Sequence, residues 1–140
     1  MWTTEANAMT AASPETIWQI WSDVANWKVW DTQVESSMLN GAFTVGSRGT
    51  LKPKGGPKSA FTLIDVQPGK TFSDRTQLPL ATLDFIHEVV PTPTGTQITH
   101  RIRLSGPLAP LFARLMGNNL RQGTQDAVQK LASMAQEVAV

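Results

Sequence analysis

The stretch Leu83–Leu104, LDFIHEVVPTPTGTQITHRIRL, holds two alternating runs separated by a turn-rich PTPTG. In the second run Ile98, His100, Ile102 and Leu104 fall on one face, and Gln97, Thr99, Arg101 and Arg103 fall on the other. An aliphatic face backed by a polar one is the pattern of a strand buried on one side, so His100 is expected to point inward. Side chains that share a face must pair across the hairpin without a one-residue slip. A four-residue loop, Thr92 to Gly95, then sets Pro91 opposite Thr96, Val89 opposite Ile98, Phe85 opposite Ile102 and His87 opposite His100. The chain's only two histidines are thereby expected to meet inside the protein.

The same alternation extends backward. Strands are expected near 33–39, 47–53, 58–66, 71–77, 81–90 and 96–105, broken by NGAFTVG, KGGP, QPGK, LPL and PTPTG. Connections this short force antiparallel neighbours. If Phe72 faces the core, Asp74 does too, close to Phe85 and diagonal to Leu83 or His87. Before these strands, residues 2–11 read as a first strand. Ser13 and Pro14 then form a helix start, with Ile17, Ile20, Trp21 and Val24 at helical spacing over about 14–23. VANWKVW reads as a second short helix or turn. After SGPLAP the period is again helical from Leu108 to Val138, with Pro107 and Pro110 tolerated in the first turn. The middle of this helix, GNNLRQGTQD, is thin in apolar bulk. Phe112, Leu115, Asn119 and Gly123 are assigned to one face, and the thin segment is read as spanning a cavity. This order describes an α+β fold: a twisted antiparallel sheet with one long helix across it.

Composition narrows the function. At 140 residues the chain fits one domain, 1–140, with a real core. Twelve basic and eleven acidic residues nearly cancel, which gives no reason to expect nucleic acid or an acidic membrane surface as main partner. The absence of cysteine excludes disulfides, thiolate metal sites and a cysteine nucleophile. No run approaches the length of a membrane span and no basic-then-apolar leader opens the chain, so a cytoplasmic protein without stable membrane insertion is expected. GxSxG, HExxH and P-loop motifs do not occur. KPKGGPK lacks the GK[ST] ending and reads as a hairpin tip, from which Lys52, Lys54 and Lys58 would attract an anionic ligand if it flanks a pocket mouth. Asp74, His87 and His100 are the candidates for general acid/base chemistry, for polar pocket lining, or for a satisfied core. No metal site and no cofactor is assigned.

Several segments together carry a resemblance. They are ASPETIWQIWSDVANWKVWD, VGSRGTLKPKGGP, VQPGKTF, FIHEVVPTPTGTQITHRIRLSGPLAPLF and the closing helix. Over about residues 3–136 the chain resembles the polyketide cyclase/dehydrase branch of the START-like (SRPBCC) superfamily. The resemblance implies a helix-grip fold, in which a curved seven-stranded antiparallel sheet wraps around a long C-terminal helix, with two short helices after the first strand and a deep apolar cavity between. Family members bind lipids, sterols, plant hormones and polyketides, and some cyclise or dehydrate polyketides. The reading that follows is a monomer or homodimer that binds a hydrophobic or amphipathic small molecule. Its expected lining is Trp18 or Trp21, Phe61, Phe72 and Phe85, then His87, His100 and Ile102 on the sheet, then Phe112, Leu115, Asn119 and Gly123 on the helix. Two alternatives stand beside it: a cyclase or dehydratase using His87 or His100 as general base, and a non-enzymatic domain that binds a protein partner.

Overall fold

The computed structural model describes residues 1–138, so residues 139 and 140 of the expected domain lie outside it. The central hairpin has the register that alternation requires: His87 faces His100, Val89 faces Ile98, and Phe85 faces Ile102. The ladder runs one pair further than expected, to Thr92 and Gly95, and leaves Pro93 and Thr94 as the turn. Gly95 takes φ +147, and a Cβ there would lie 2.8 Å from the Thr10 carbonyl oxygen.

The strands are β1 (Trp2–Thr10), β2 (Val34–Asn40), β3 (Arg48–Pro53), β4 (Ser59–Gln67), β5 (Thr71–Leu78), β6 (Ala81–Thr92) and β7 (Gly95–Ser105). They form one seven-stranded sheet in the order β1-β7-β6-β5-β4-β3-β2, and every pairing is antiparallel. Between β1 and β2 lie helix α1 (Pro14–Ser22) and a 3-10 helix (Val24–Val29). Ser13 caps α1, its hydroxyl accepting a bond from the Thr16 amide at 3.2 Å. Helix α2 (Ala109–Val138) closes the chain. Pro107 precedes α2 rather than lying in its first turn, while Pro110 does lie there, where its missing N–H leaves no helical bond broken.

The core has two apolar clusters. One packs Ile17, Trp21, Trp27, Phe61, Phe72 and Ile98 against the second half of α2 through Val128 and Leu131. The other gathers Leu83, Ile102 and Leu104 beneath the first half of α2, with Phe85, Phe112, Met116 and Leu120 only half-buried around them. On the outer face, burial of Asp84 is offset by a two-pronged bond from Arg75, Nε to Oδ1 at 2.7 Å and Nη2 to Oδ2 at 2.9 Å. At β3, Phe61 folds its ring over Gly49, where a Cβ would clash with the Met38 carbonyl and the Phe61 ring. Gly49→Ala is therefore expected to cost about 1–3 kcal/mol, read by urea denaturation.

The middle of α2 corrects one expectation. Gly123 is buried against Gln33, whose Cγ would stand 3.0 Å from an added Cβ, and Gly117 is buried against the Trp2 ring. The small residues let α2 approach its neighbours, so they give no reason for a cavity there. Leu115 is 70% exposed, and Asn119 is also on the solvent side.

Candidate functional site

A layer of buried polar groups separates the two apolar clusters. It arises because β5, β6 and β7 each turn a polar residue toward α2: Asp74, His87 and His100. Phe72 pairs with His87 and stacks flat on it, ring centroids 4.0 Å apart at 4°. Asp74, two residues along β5, is opposite Phe85 and so diagonal to both His87 and Leu83. The two imidazoles stand 4.8 Å apart, edge to face. Trp21 of α1 covers both, at 5.7 and 6.0 Å. Trp30, which follows the 3-10 helix, covers them from another side, at 6.4 and 5.5 Å.

Hydrogen bonding in this layer is incomplete. The Phe72 carbonyl can only accept, so the 3.2 Å contact with His87 Nδ1 places the proton on that nitrogen. His100 Nε2, Trp21 Nε1 and Trp30 Nε1 are sealed from solvent and have no partner. Buried polar atoms without partners are uncommon, and each costs about 1–3 kcal/mol.

Burial also fixes the charge. It pushes His87 down to about 3, against a smaller upward pull from its bond to Phe72. His100 is held well below the usual histidine range by burial and then by His87. Asp74 is raised well above the usual carboxyl range by burial, then by the charges of Asp84 and Asp31. Asp31 is itself pushed up to about 6, mainly by burial, although it accepts the Gln33 amide and lies near Lys54. The layer is polar but favours uncharged forms.

Of the residues expected at the site, Trp21, Phe61, Phe72, His87, His100, Ile102 and Gly123 are buried. Trp18 is half-buried and packs edge-on against Trp21, Phe43 and Phe72. Phe85 and Phe112 are half-buried in the second cluster. Leu115 and Asn119 drop out, and Met116 and Leu120 take the inward positions. Sequence reasoning missed Trp30 and Asp31. The signal for Trp30 was its spacing from Trp27, but that spacing does not say what either ring covers. Two hollows lie away from this layer. One of about 640 Å³ runs along Met9, Gln129, Ser133 and Gln136, and one of about 420 Å³ lies on the outer sheet face beside Arg48, Thr62 and Arg75. Among the described residues, no helix is long and apolar enough to cross a membrane, and no three His, Asp or Glu side chains are grouped to hold a metal ion.

Comparison with solved structures gives the same fold in proteins of low sequence identity. A protein from Mesorhizobium loti superposes with a TM-score of 0.78 at 19% identity, over 99% of this chain and 100% of that one. A protein from Thermus thermophilus gives 0.76 at 12% identity, over 99% of each chain. The di-domain ARO/CYC StfQ from the steffimycin biosynthetic pathway gives 0.77 at 13% identity, over 98% of this chain and 51% of that one. No curated protein sequence matches the chain. A family model described as polyketide cyclase / dehydrase and lipid transport matches residues 1–136. The chain belongs to that polyketide cyclase / dehydrase and lipid transport family.

Proposed function

We propose that this domain binds an uncharged, largely apolar small molecule, lipid-, polyketide- or sterol-like, whose carbonyl or hydroxyl oxygens dock on the layer formed by Asp74, His87 and His100. The observation that carries this reading is the group of sealed, unpartnered nitrogens on His100, Trp21 and Trp30. Indole N–H groups donate to an oxygen, and an imidazole nitrogen donates or accepts according to its tautomer. The half-buried Phe85, Phe112, Met116 and Leu120 supply the apolar wall on the adjoining side, where a ligand body gains most of its binding energy from burial. A carboxyl group kept neutral by burial donates a hydrogen bond as an ionised one cannot, which suits Asp74 to a ligand carbonyl.

General-base catalysis by the histidines has less support. A base works best with a pKa near the working pH, and both imidazoles lie far below it. The reading as a protein-partner domain finds no support in this layer, which is interior.

The test is His100→Leu, compared with wild type by native mass spectrometry and by urea denaturation. The wild-type protein, freshly purified, is expected to carry a discrete extra mass that is lost on denaturation. His100→Leu replaces an unpaired buried nitrogen with a methyl group. It is expected to stabilise the free protein by about 1–3 kcal/mol and to lose the bound mass. A variant that keeps the bound mass, or a wild type with none after exposure to a mixed lipid and polyketide extract, would sink the proposal.

A further inference from the structure

Three connections share one rim of the sheet, because antiparallel order alternates the turns between its two ends. These are the β3–β4 turn, the β5–β6 turn and the link from β7 into α2. The two turns are neighbouring hairpins, about 10 Å apart at the strand spacing of a sheet. The β7–α2 link touches the β5–β6 turn directly: the Leu108 amide donates to the Leu80 carbonyl at 3.0 Å.

This rim has two unusual properties. The first is exposed apolar bulk. Leu80 is 67% exposed, Leu115 70% and Leu111 48%, and they are the only exposed leucines among the described residues. Leu111 and Leu115 follow Leu108 at helical spacing, so they lie on one side of the first turns of α2. Pro79, Pro107 and Pro110 beside them are exposed as well. Leu80 also has φ +53, a left-handed conformation that glycine or asparagine adopts with less strain. A branched side chain held in that conformation and left in water is doubly unfavourable for the free protein, which points to a use outside it. The second property is charge. Residues 53–60, 78–81 and 105–125 contain Lys54, Lys58, Arg114 and Arg121 and no aspartate or glutamate, while the segment before β2, whose Gln33 carbonyl accepts the Lys54 amide, adds the half-buried Asp31 near Lys54. All four cations are exposed. The near-neutral total of the chain hides this local excess.

Leucines projecting from loop tips and a helix start, ringed by lysine and arginine, match the interface of an anionic bilayer: apolar side chains enter the acyl boundary and cations meet lipid phosphates. We propose that this rim docks the protein reversibly on an anionic lipid surface, with Leu80, Leu111 and Leu115 inserting and Lys54, Lys58 and Arg114 meeting headgroups. The docking does not depend on what the interior binds.

Vesicle flotation tests it. Wild type is expected to float with phosphatidylcholine vesicles that contain about 30% phosphatidylglycerol, and poorly with phosphatidylcholine alone. Binding is expected to weaken as salt rises from about 0.05 to about 0.5 M. Lys54→Gln with Lys58→Gln is expected to weaken partition by about tenfold or more. Leu80→Asp with Leu115→Asp is expected to abolish flotation while the circular dichroism spectrum is unchanged. Leu80→Gly guards against misfolding: relief of the left-handed strain is expected to raise its unfolding temperature while its partition falls. The proposal is overturned if wild type stays in solution at low salt, or if Leu80→Gly and Leu80→Asp with Leu115→Asp both float like wild type. It is also overturned if light scattering shows a lipid-free dimer that Leu115→Asp converts to monomer, because a second copy then covers the rim.

Discussion

The variant Asp31→Asn with Asp74→Asn is expected to lose more stability than wild type, by about 2 kcal/mol or more, as pH falls from about 6.5 to about 4.5. The reason is a balance between two buried imidazoles and two carboxyls, Asp74 buried and Asp31 half-buried. The folded-state pKa values of His87 and His100 lie below the ordinary 6.5, so the unfolded chain takes up protons that the folded chain refuses. Their contribution is full above pH 6.5 and is lost as pH falls toward the folded values. For a ring still neutral at pH 4.5 the loss is about 2 kcal/mol. The carboxyls act in the opposite sense. Asp31 is raised from 3.8 to about 6, and Asp74 is also raised, so the folded chain holds these protons more tightly. Their contribution is full below 3.8 and is lost as pH rises through the folded values, so it grows across the interval in which the histidine contribution shrinks. Asparagine keeps the shape of a protonated carboxyl but cannot titrate, and leaves the histidine loss exposed. Urea denaturation at the two pH values reads the difference. A double variant whose stability does not fall over this range would mean that the imidazoles are not held neutral by burial.

That balance was partly legible in the sequence, and the legible part is instructive. Strand parity has a period of two, so one face assignment fixes every partner across a hairpin. His100 between Ile98 and Ile102 decided its own direction, and the hairpin then decided that of His87, even though the turn is two residues rather than four. Asp74 followed from Phe72 in the same way. Asp31 was not legible, because it follows a 3-10 helix whose Asn26 breaks helical geometry, and no periodic pattern carries a direction through such a segment. Trp30 was hidden for the same reason, although it covers both histidines.

Helix α2 shows the opposite failure. At about 100° per residue, a stripe assigned one step wrong still looks periodic. Centring it on Phe112 drew in Leu115 and Asn119, because large residues were weighted over small ones. The observed stripe runs through Ala113, Met116, Gly117, Leu120, Thr124, Ala127 and Leu131, and Phe112 sits at its margin, half-buried. Alanine and glycine lie inward because Trp2 and Gln33 supply the bulk from the facing side. Complementary size across an interface is a tertiary fact, and a single strand of sequence does not contain it. The two exposed leucines left over are the ones that now mark the basic rim.

Trp21→Ala is expected to destabilise the protein by about 3–5 kcal/mol, the range for deleting a fully buried large aromatic. Trp21 is 0% exposed and packs against Trp18, Phe72, His87 and His100, so no single neighbour can collapse into its place. The void would open beside His100 Nε2, an unpartnered polar atom, and a polar void of that size admits water. Water lowers the penalty on the charged ring. The variant's histidines should therefore titrate closer to 6.5, visible as pH-dependent imidazole shifts by NMR, while His87 of wild type, at about 3, stays silent down to about pH 4.5. Trp21→Phe keeps an apolar plug and should leave the rings silent at a smaller cost. Rings that remain silent in Trp21→Ala would show that the sheet alone keeps them dry. In that case the indoles would not be the cover that separates the polar layer from solvent.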